Sequence, residues 1–411
     1  MAIEIKENGL NSLEMKFIKN IRDPIHGTIS LNELELEILD TAYMQRLRHI
    51  KQNGLCYLIY PAMNSTRFEH SLGVMHLAGL MADHLGLDED DRKKLRVAAL
   101  LHDIGHCAFS HTSDDILSKR GYSHEENSSR IILETEISGI LNKYDLNPEE
   151  ISDLIKGKGN LSKILSSEID IDKMDYLVRD SYYAGVAYGM IDLERIIYGI
   201  KLMNSDLVVK KGSLEAVESL LIGRNLMYQT VYRHHTKRIV EAMFRNAMDS
   251  IIEKKLKYEK FIEMDDIDLV HRLRNSEGYP REIMKRIDER RLFKTFFQER
   301  LILIEENFRR DILENRKEIE EDICEDFGIK KGFLLIDIPE TKMSEFKILV
   351  EDNGELKRID EVSSLAKALE KSEREKLMFC IYTAPEFLDK LKDFNAEKYI
   401  EFSQTRLGRF L

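Results

Sequence analysis

The sequence predicts a mainly α-helical chain, in which a large helical unit carries the chemistry and a small α+β unit follows at the C-terminus. Three observations lead there. Apolar residues from Leu34 onward recur at three- and four-residue spacings. Nine of the twelve histidines lie between His26 and His124, on or beside those helical stretches. Beyond about residue 328 the period changes to that of strands.

The elements follow in order. Alternation around Ile21, a turn at Asp23-Pro24 and the run Thr28 to Leu31 predict a short hairpin. Leu34, Ile38, Leu39, Met44, Leu47 and Ile50 then give helical spacing. HSLGVMHLAGLMADHLGL, from His70, reads as a helix, and DEDDRKKLRVAALLHDIGH as another that opens on an acidic turn and ends near Gly105. HEENSSRIILET, PEEISDLIKG and SSEIDIDKMDYLVRDSYYAG extend the pattern, and residues 213–250 form a long helical stretch with Gly223 as its candidate break. Residues 1–250 are therefore expected as the catalytic unit and 251–327 as a charged helical extension. Residues 328–411 are expected as the α+β unit, with strands in GFLLIDIP, SEFKILVEDNGELKRI and KLMFCIYTA and a turn at Asp352-Asn353-Gly354.

Composition narrows the function classes. Sixty-two basic against 74 acidic residues give a formal charge of -12, and no basic tract carries interleaved aromatics, so no dedicated nucleic-acid-binding region is expected. A phosphate-bearing substrate remains compatible, because local charges and a bound metal govern a pocket. The widely spaced Cys56, Cys107, Cys324 and Cys380 read as reduced, buried thiols of a cytoplasmic protein. No apolar run approaches the ~18 residues of a membrane span, and MAIEIKENGLNSLEMKF lacks the apolar block of a signal peptide.

His102 and Asp103 stand side by side at the end of an apolar helix, where burying both without partners is costly. One divalent metal ion would satisfy both, with His70 and Asp172 supplied by other helices. Mixed nitrogen and oxygen ligation suits manganese, iron, zinc, nickel or cobalt. His106 either faces the same side of a continuing helix or begins the loop after Gly105, and both placements bring it near the metal. His111, Asp114 and His124 follow in a polar connection, where an Asp–His pair can fix an imidazole as proton donor or acceptor. Arg67 offers a bidentate fork for phosphate and Lys173 a further positive charge, so the metal centre reads as a polyphosphate pocket. Asp172, Tyr176 and Asp180 are spaced by four along one helical face.

RFEHSLGV, LLHDIGHCAFSH and EIDIDKMDYLVRD, in that order, resemble the motifs of the HD-domain phosphohydrolases, particularly the deoxynucleoside triphosphate triphosphohydrolase branch. IRDPIHGTI and VYRHHTKRIVEAMFRNA are also similar to that branch. The resemblance implies an HD-type helical core whose metal ligands are His70, His102, Asp103 and Asp172. It implies His111 on the phosphate side, Asp114 with His124 as a catalytic pair, Tyr176 near sugar or base, and Asp180 near the sugar 3'-hydroxyl. Tyr232 resembles a nucleoside-contacting tyrosine, and Gln52 and Asn53 a pocket edge, although Asn53 stands where the branch has leucine. The implied reaction converts a deoxynucleoside triphosphate, with magnesium accompanying the nucleotide, to deoxynucleoside and inorganic triphosphate in a homo-oligomer. The rival expectations are another nucleotide phosphodiesterase or phosphatase, and a nucleotide sensor without turnover.

Overall fold

The computed structural model describes residues 16–402 apart from 119–120, 122, 255–257 and 340–343, with the backbone alone described at residues 111, 115, 253, 254, 258, 344 and 345. It is a predominantly helical core with β-sheets concentrated toward the C-terminal side.

The expected hairpin opens the described chain. Strand β1 (Lys19–Asp23) pairs antiparallel with β2 (Gly27–Leu31), and Asn32 and Glu35 then cap helix α1 (Glu33–Leu39) reciprocally. Helix α2 (Arg67–Leu85) starts at Thr66 and stops at Gly86, whose φ of +66° is the left-handed cap that favours glycine. Asp88 accepts the Asp91 amide to start α3 (Glu89–Leu101), and so short a connection lays the two helices against each other. Next come α4 (Ser110–Ser118), α5 (His124–Glu134) and α6 (Ile171–Ala184), the last started by the Asp170 carboxylate on the Lys173 amide.

The long stretch expected over 213–250 is two helices, α7 (Leu214–Met227) and α8 (His235–Lys254). The break falls in a wide π-type turn at Tyr228–Tyr232 rather than at Gly223. A Cβ at Gly223 would lie 2.6 Å from the Tyr188 carbonyl, so that glycine serves close packing within a continuous helix. The turn's free Thr230 carbonyl is taken up by the Tyr60 hydroxyl at 2.8 Å.

Two strands before residue 250 were not expected. Strands β3 (Ile200–Met203) and β4 (Asp206–Lys210) form a hairpin through Asn204 and Ser205, both at positive φ. After α9 (Asp266–Arg274) a further strand, β5 (Lys294–Arg300), lies inside the segment expected to be wholly helical. Its register shifts between Thr295 and Phe297, which breaks the period-two pattern that would have revealed it. The C-terminal strands β6 (Leu334–Asp337), β7 (Leu349–Asp352), β8 (Glu355–Arg358) and β9 (Met378–Thr383) are as expected, with Asn353-Gly354 turning β7 into β8. They join two sheets that cross the expected boundaries, in the orders β3-β4-β7-β8 and β5-β9-β6, with β4 parallel to β7. Helix α10 (Ser364–Glu375) packs on α7 from the same C-terminal part. Among the described residues no helix is long and apolar enough to cross a membrane.

One buried ion pair locks the hairpin side of the core. Arg96 on α3 donates to Glu35 on α1 at 2.6 and 2.9 Å and to the Ser30 carbonyl of β2 at 3.1 Å. Glu35 is fully buried, so its removal strands the guanidinium. Glu35→Ala is expected to cost about 3–5 kcal/mol, read as a lower midpoint in urea titration with an unchanged slope.

Candidate active site

The site grows from the junction of α2, α3 and α6. His102 caps the end of α3, and its Nδ1 lies 2.7 Å from the Ala99 carbonyl, the geometry of an N–H donating back into the last turn. That tautomer leaves Nε2 with a bare lone pair. His70, on the first turn of α2, donates from Nδ1 to Asp175 at 2.7 Å, which leaves its Nε2 bare as well. Both Nε2 atoms are buried and neither makes a hydrogen bond.

What they face is negative. His70 Nε2 lies 2.9 Å from Asp172 Oδ1 and 3.8 Å from Asp103 Oδ2, and His102 Nε2 lies 3.3 Å from Asp103 Oδ1 and 3.8 Å from Asp172 Oδ1. Lone pairs set against carboxylate oxygens repel unless a cation stands between them. Burial works to lower the His70 imidazole, yet Asp172 and Asp175 outweigh it and hold the ring up at about 10 when only a proton can serve. A divalent ion supplies that positive charge and lets the ring ligate as the neutral base. Donors about 2.0–2.2 Å from a common ion stand roughly 3–4 Å apart, and His70, His102 and Asp103 bring donor atoms within 4.8 Å of one another, with Asp172 beside both imidazoles. Two imidazoles and two carboxylates thus suit one divalent transition-metal ion.

Arg67 and His106 flank Asp103. Arg67 Nη1 donates to Asp103 Oδ2 at 2.5 Å and Nε to Ser110 Oγ at 2.6 Å, while Nη2 is buried without a partner. Burial pushes the Asp103 carboxyl up, but Arg67, His102 and His106 together hold it well below the usual range. His106 lies in the turn after α3, not on a continued helix, with Nε2 3.2 Å from Asp103 Oδ1. Burial and the Arg67 charge keep its imidazole neutral, well below the usual histidine range. It stacks on His124 at 4.0 Å between ring centres, and each of His106, Asp114 and His124 brings one donor atom within 4.8 Å of the others. Burial raises Asp114 to about 6. His111 lies on α4, and its side chain is outside the described residues.

Farther along α6 the second expected group assembles. Asp180 is buried and accepts from the Tyr232 hydroxyl and from Asn53 Nδ2, both at 2.7 Å. Burial raises it to about 6 against those two bonds. Tyr176 meets Tyr232 edge to face at 6.5 Å. Gln52 is buried, with Oε1 lacking a partner. Lys173 is engaged locally, bonding Asp170 Oδ2 at 2.9 Å and the Ser167 carbonyl at 2.8 Å.

Sequence reasoning missed the layer behind the His/Asp cluster. Asp175 accepts from His70, from His26 at 2.6 Å and from Arg179 at 2.8 and 2.9 Å, and Arg179 also donates to Asp23 at 2.8 Å. A Cβ on Gly73 would fall 1.9 Å from Asp175 Oδ1, so only glycine lets α2 approach this network. Asn127 and Ser128 on α5 fix the turn after His102, taking the Gly105 carbonyl and amide respectively. The signals were present: Asp175 and Arg179 share the helix of Asp172, and His26 sits in the conspicuous DPIHG turn.

Comparison with known proteins places these parts. Residues 67–180 match the HD domain family, and residues 191–408 match the HD associated region. An uncharacterised protein of Methanocaldococcus jannaschii is 42% identical over 393 residues, 93% of this chain and 83% of that protein. A deoxynucleoside triphosphate triphosphohydrolase SAMHD1 homolog of Dictyostelium discoideum is 30% identical across 70% of this chain and 62% of its own length. The crystal structure of a phosphohydrolase from Bacteroides thetaiotaomicron superposes with a TM-score of 0.73 at 25% identity, covering 89% of this chain and all of that one. Fold and His/Asp cluster together support metal-dependent phosphohydrolase chemistry.

His102→Ala is expected to empty the metal site while helical circular dichroism stays near the parent's. Asp175→Asn, which leaves His70, His102, Asp103 and Asp172 in place, is expected to weaken metal affinity about 10- to 100-fold. Elemental analysis after dialysis against graded chelator checks both, and a full complement of metal in His102→Ala would exclude the assignment.

Proposed function

This chain belongs to the HD-domain family, with the HD-associated region forming its second half, and on that premise we propose that it hydrolyses deoxynucleoside triphosphates to deoxynucleoside and inorganic triphosphate. The observation that carries the proposal is the layout of α6. Asp172 sits with the metal-site histidines at one end, and Asp180, bonded to Tyr232 and Asn53, lies eight residues on. Eight helical residues rise about 12 Å, room for a phosphate and its sugar between the two carboxylates. The Dictyostelium relative's name supports the same substrate class.

In this reading Asp180 accepts from the sugar 3'-hydroxyl while Tyr176, Tyr232 and Gln52 line the nucleoside side. Arg67 Nη2 grips a phosphate oxygen, His111 and His106 face the phosphates, and Lys173 exchanges Asp170 for phosphate. The divalent ion, when bound, supplies Lewis acidity at the phosphoryl group. Water attacks the α-phosphorus, the bond from phosphorus to the 5'-oxygen breaks, and His124, oriented by Asp114, protonates the departing 5'-oxygenate. The chain works as a homo-oligomer in the cytoplasm.

The test is a panel of nucleoside triphosphates with metal-loaded protein, chromatographed for both products in oxygen-18 water. Intact triphosphate carrying the label is expected; orthophosphate or pyrophosphate as first product would assign a different phosphohydrolase, and no turnover at full metal occupancy a sensor. Asp180→Asn should lower kcat/KM about 10- to 100-fold, the worth of a hydrogen bond to a charged group. Burial pushes the Asp180 and Asp114 carboxyls up to about 6, and both act as carboxylates, so activity should fall as pH drops through that value. The Asp180 part appears in KM and vanishes in Asp180→Asn, and the Asp114 part appears in kcat.

A further inference from the structure

Asp266 opens α9 in the second half of the chain, yet its carboxylate is spent on two segments far away in sequence. Oδ2 accepts the backbone amide of Lys51 at 2.9 Å and Oδ1 that of Phe109 at 2.7 Å. The side chain is 5% exposed, so water cannot substitute for it. Lys51 leads directly into Gln52 and Asn53, and Asn53 holds Asp180. Phe109 leads directly into Ser110, which receives Arg67 Nε. One carboxylate therefore ties the nucleoside wall to the phosphate wall.

Two further observations agree. Phe109 has a φ of +52°, a left-handed conformation that a bulky residue keeps only when its surroundings hold it there, and Asp266 bonds that very amide. Arg46 spans the same joint: Nη1 donates to the Met264 carbonyl at 3.1 Å, and Nη2 to the Ile104 and His106 carbonyls at 3.1 and 2.7 Å.

We infer that Asp266 is a positioning residue for the nucleotide, setting the separation of the two walls through the Lys51 and Phe109 amides without touching substrate. The inference rests on the nucleotide-hydrolase reading for its substrate and on the two hydrogen bonds for its mechanism.

Asp266→Asn keeps the volume but sets an amide N–H against one backbone N–H, and Asp266→Ala removes both acceptors. With metal content equal to the parent's, both should lower kcat/KM for deoxynucleotides at least about tenfold. In a double-mutant cycle with Ser110→Ala the losses should not add, because Asp266 acts on Arg67 through Phe109 and Ser110. Independently of turnover, hydrogen exchange at the Lys51 and Phe109 amides should accelerate, and inorganic triphosphate should bind the manganese-loaded variant more weakly by calorimetry. If Asp266→Ala does not fold, Asp266→Asn is read alone. Lower thermal stability with unchanged kcat/KM and triphosphate affinity, or additive losses with Ser110→Ala, would overturn the inference. If the parent itself hydrolyses no nucleotide, the hydrolase reading falls, while amide exchange and triphosphate affinity still decide on Asp266.

Discussion

The site depends first on the fully buried carboxylate of Asp175. It receives three cationic or hydrogen-bearing groups, from His70, His26 and Arg179, and each comes from or leads to a different part of the core. Its bond to His70 Nδ1 decides which imidazole nitrogen is left for a metal, and its bond to Arg179 carries that decision to Asp23 at the hairpin. Burying so much charge is tolerable only because every member is paired; losing one partner of such a network costs about 3–5 kcal/mol. The requirement reaches the backbone of α2, where Gly73 leaves space for the carboxylate and guanidinium.

Much of this was legible in the sequence because metal chemistry demands unusual residues in unusual places. A histidine beside an aspartate at the end of an apolar helix has few structural uses, and His70, His102, Asp103 and Asp172 do converge. The apolar runs and their capping residues likewise gave α2, α3 and α6 nearly whole, although α2 is buried on almost every side and α6 buries Asp175, Arg179 and Asp180 among its apolar residues.

The missing parts share a different physical character. Asp175 and Arg179 lie on the helix of Asp172 but gain their meaning only from His26, His70 and Asp23 in distant segments, and Asp266 makes no pattern until its partners Lys51 and Phe109 are known. Strands β3, β4 and β5 were obscured by their neighbours: the first two are four and five residues long between helices, and a register shift interrupts the third. The break after Met227 was placed wrongly because glycine was given weight for its flexibility, whereas here it serves close approach and tyrosines make the turn.

The parallel pairing of β4 with β7 joins Val208–Lys210 to Leu349–Glu351, and fully buried Glu373 on α10 lies 2.8 Å from Arg224 and 3.2 Å from Arg233, on either side of the turn that presents Tyr232. The two halves of the candidate site therefore draw on residues made at different times during synthesis. His70, His102, Asp103 and Asp172 all precede residue 180, but the wall that carries Tyr232 waits for strands and a helix made more than a hundred residues later. A chain truncated before Leu349 would therefore keep every residue of the His/Asp cluster while losing the strand and the helix that brace the turn carrying Tyr232.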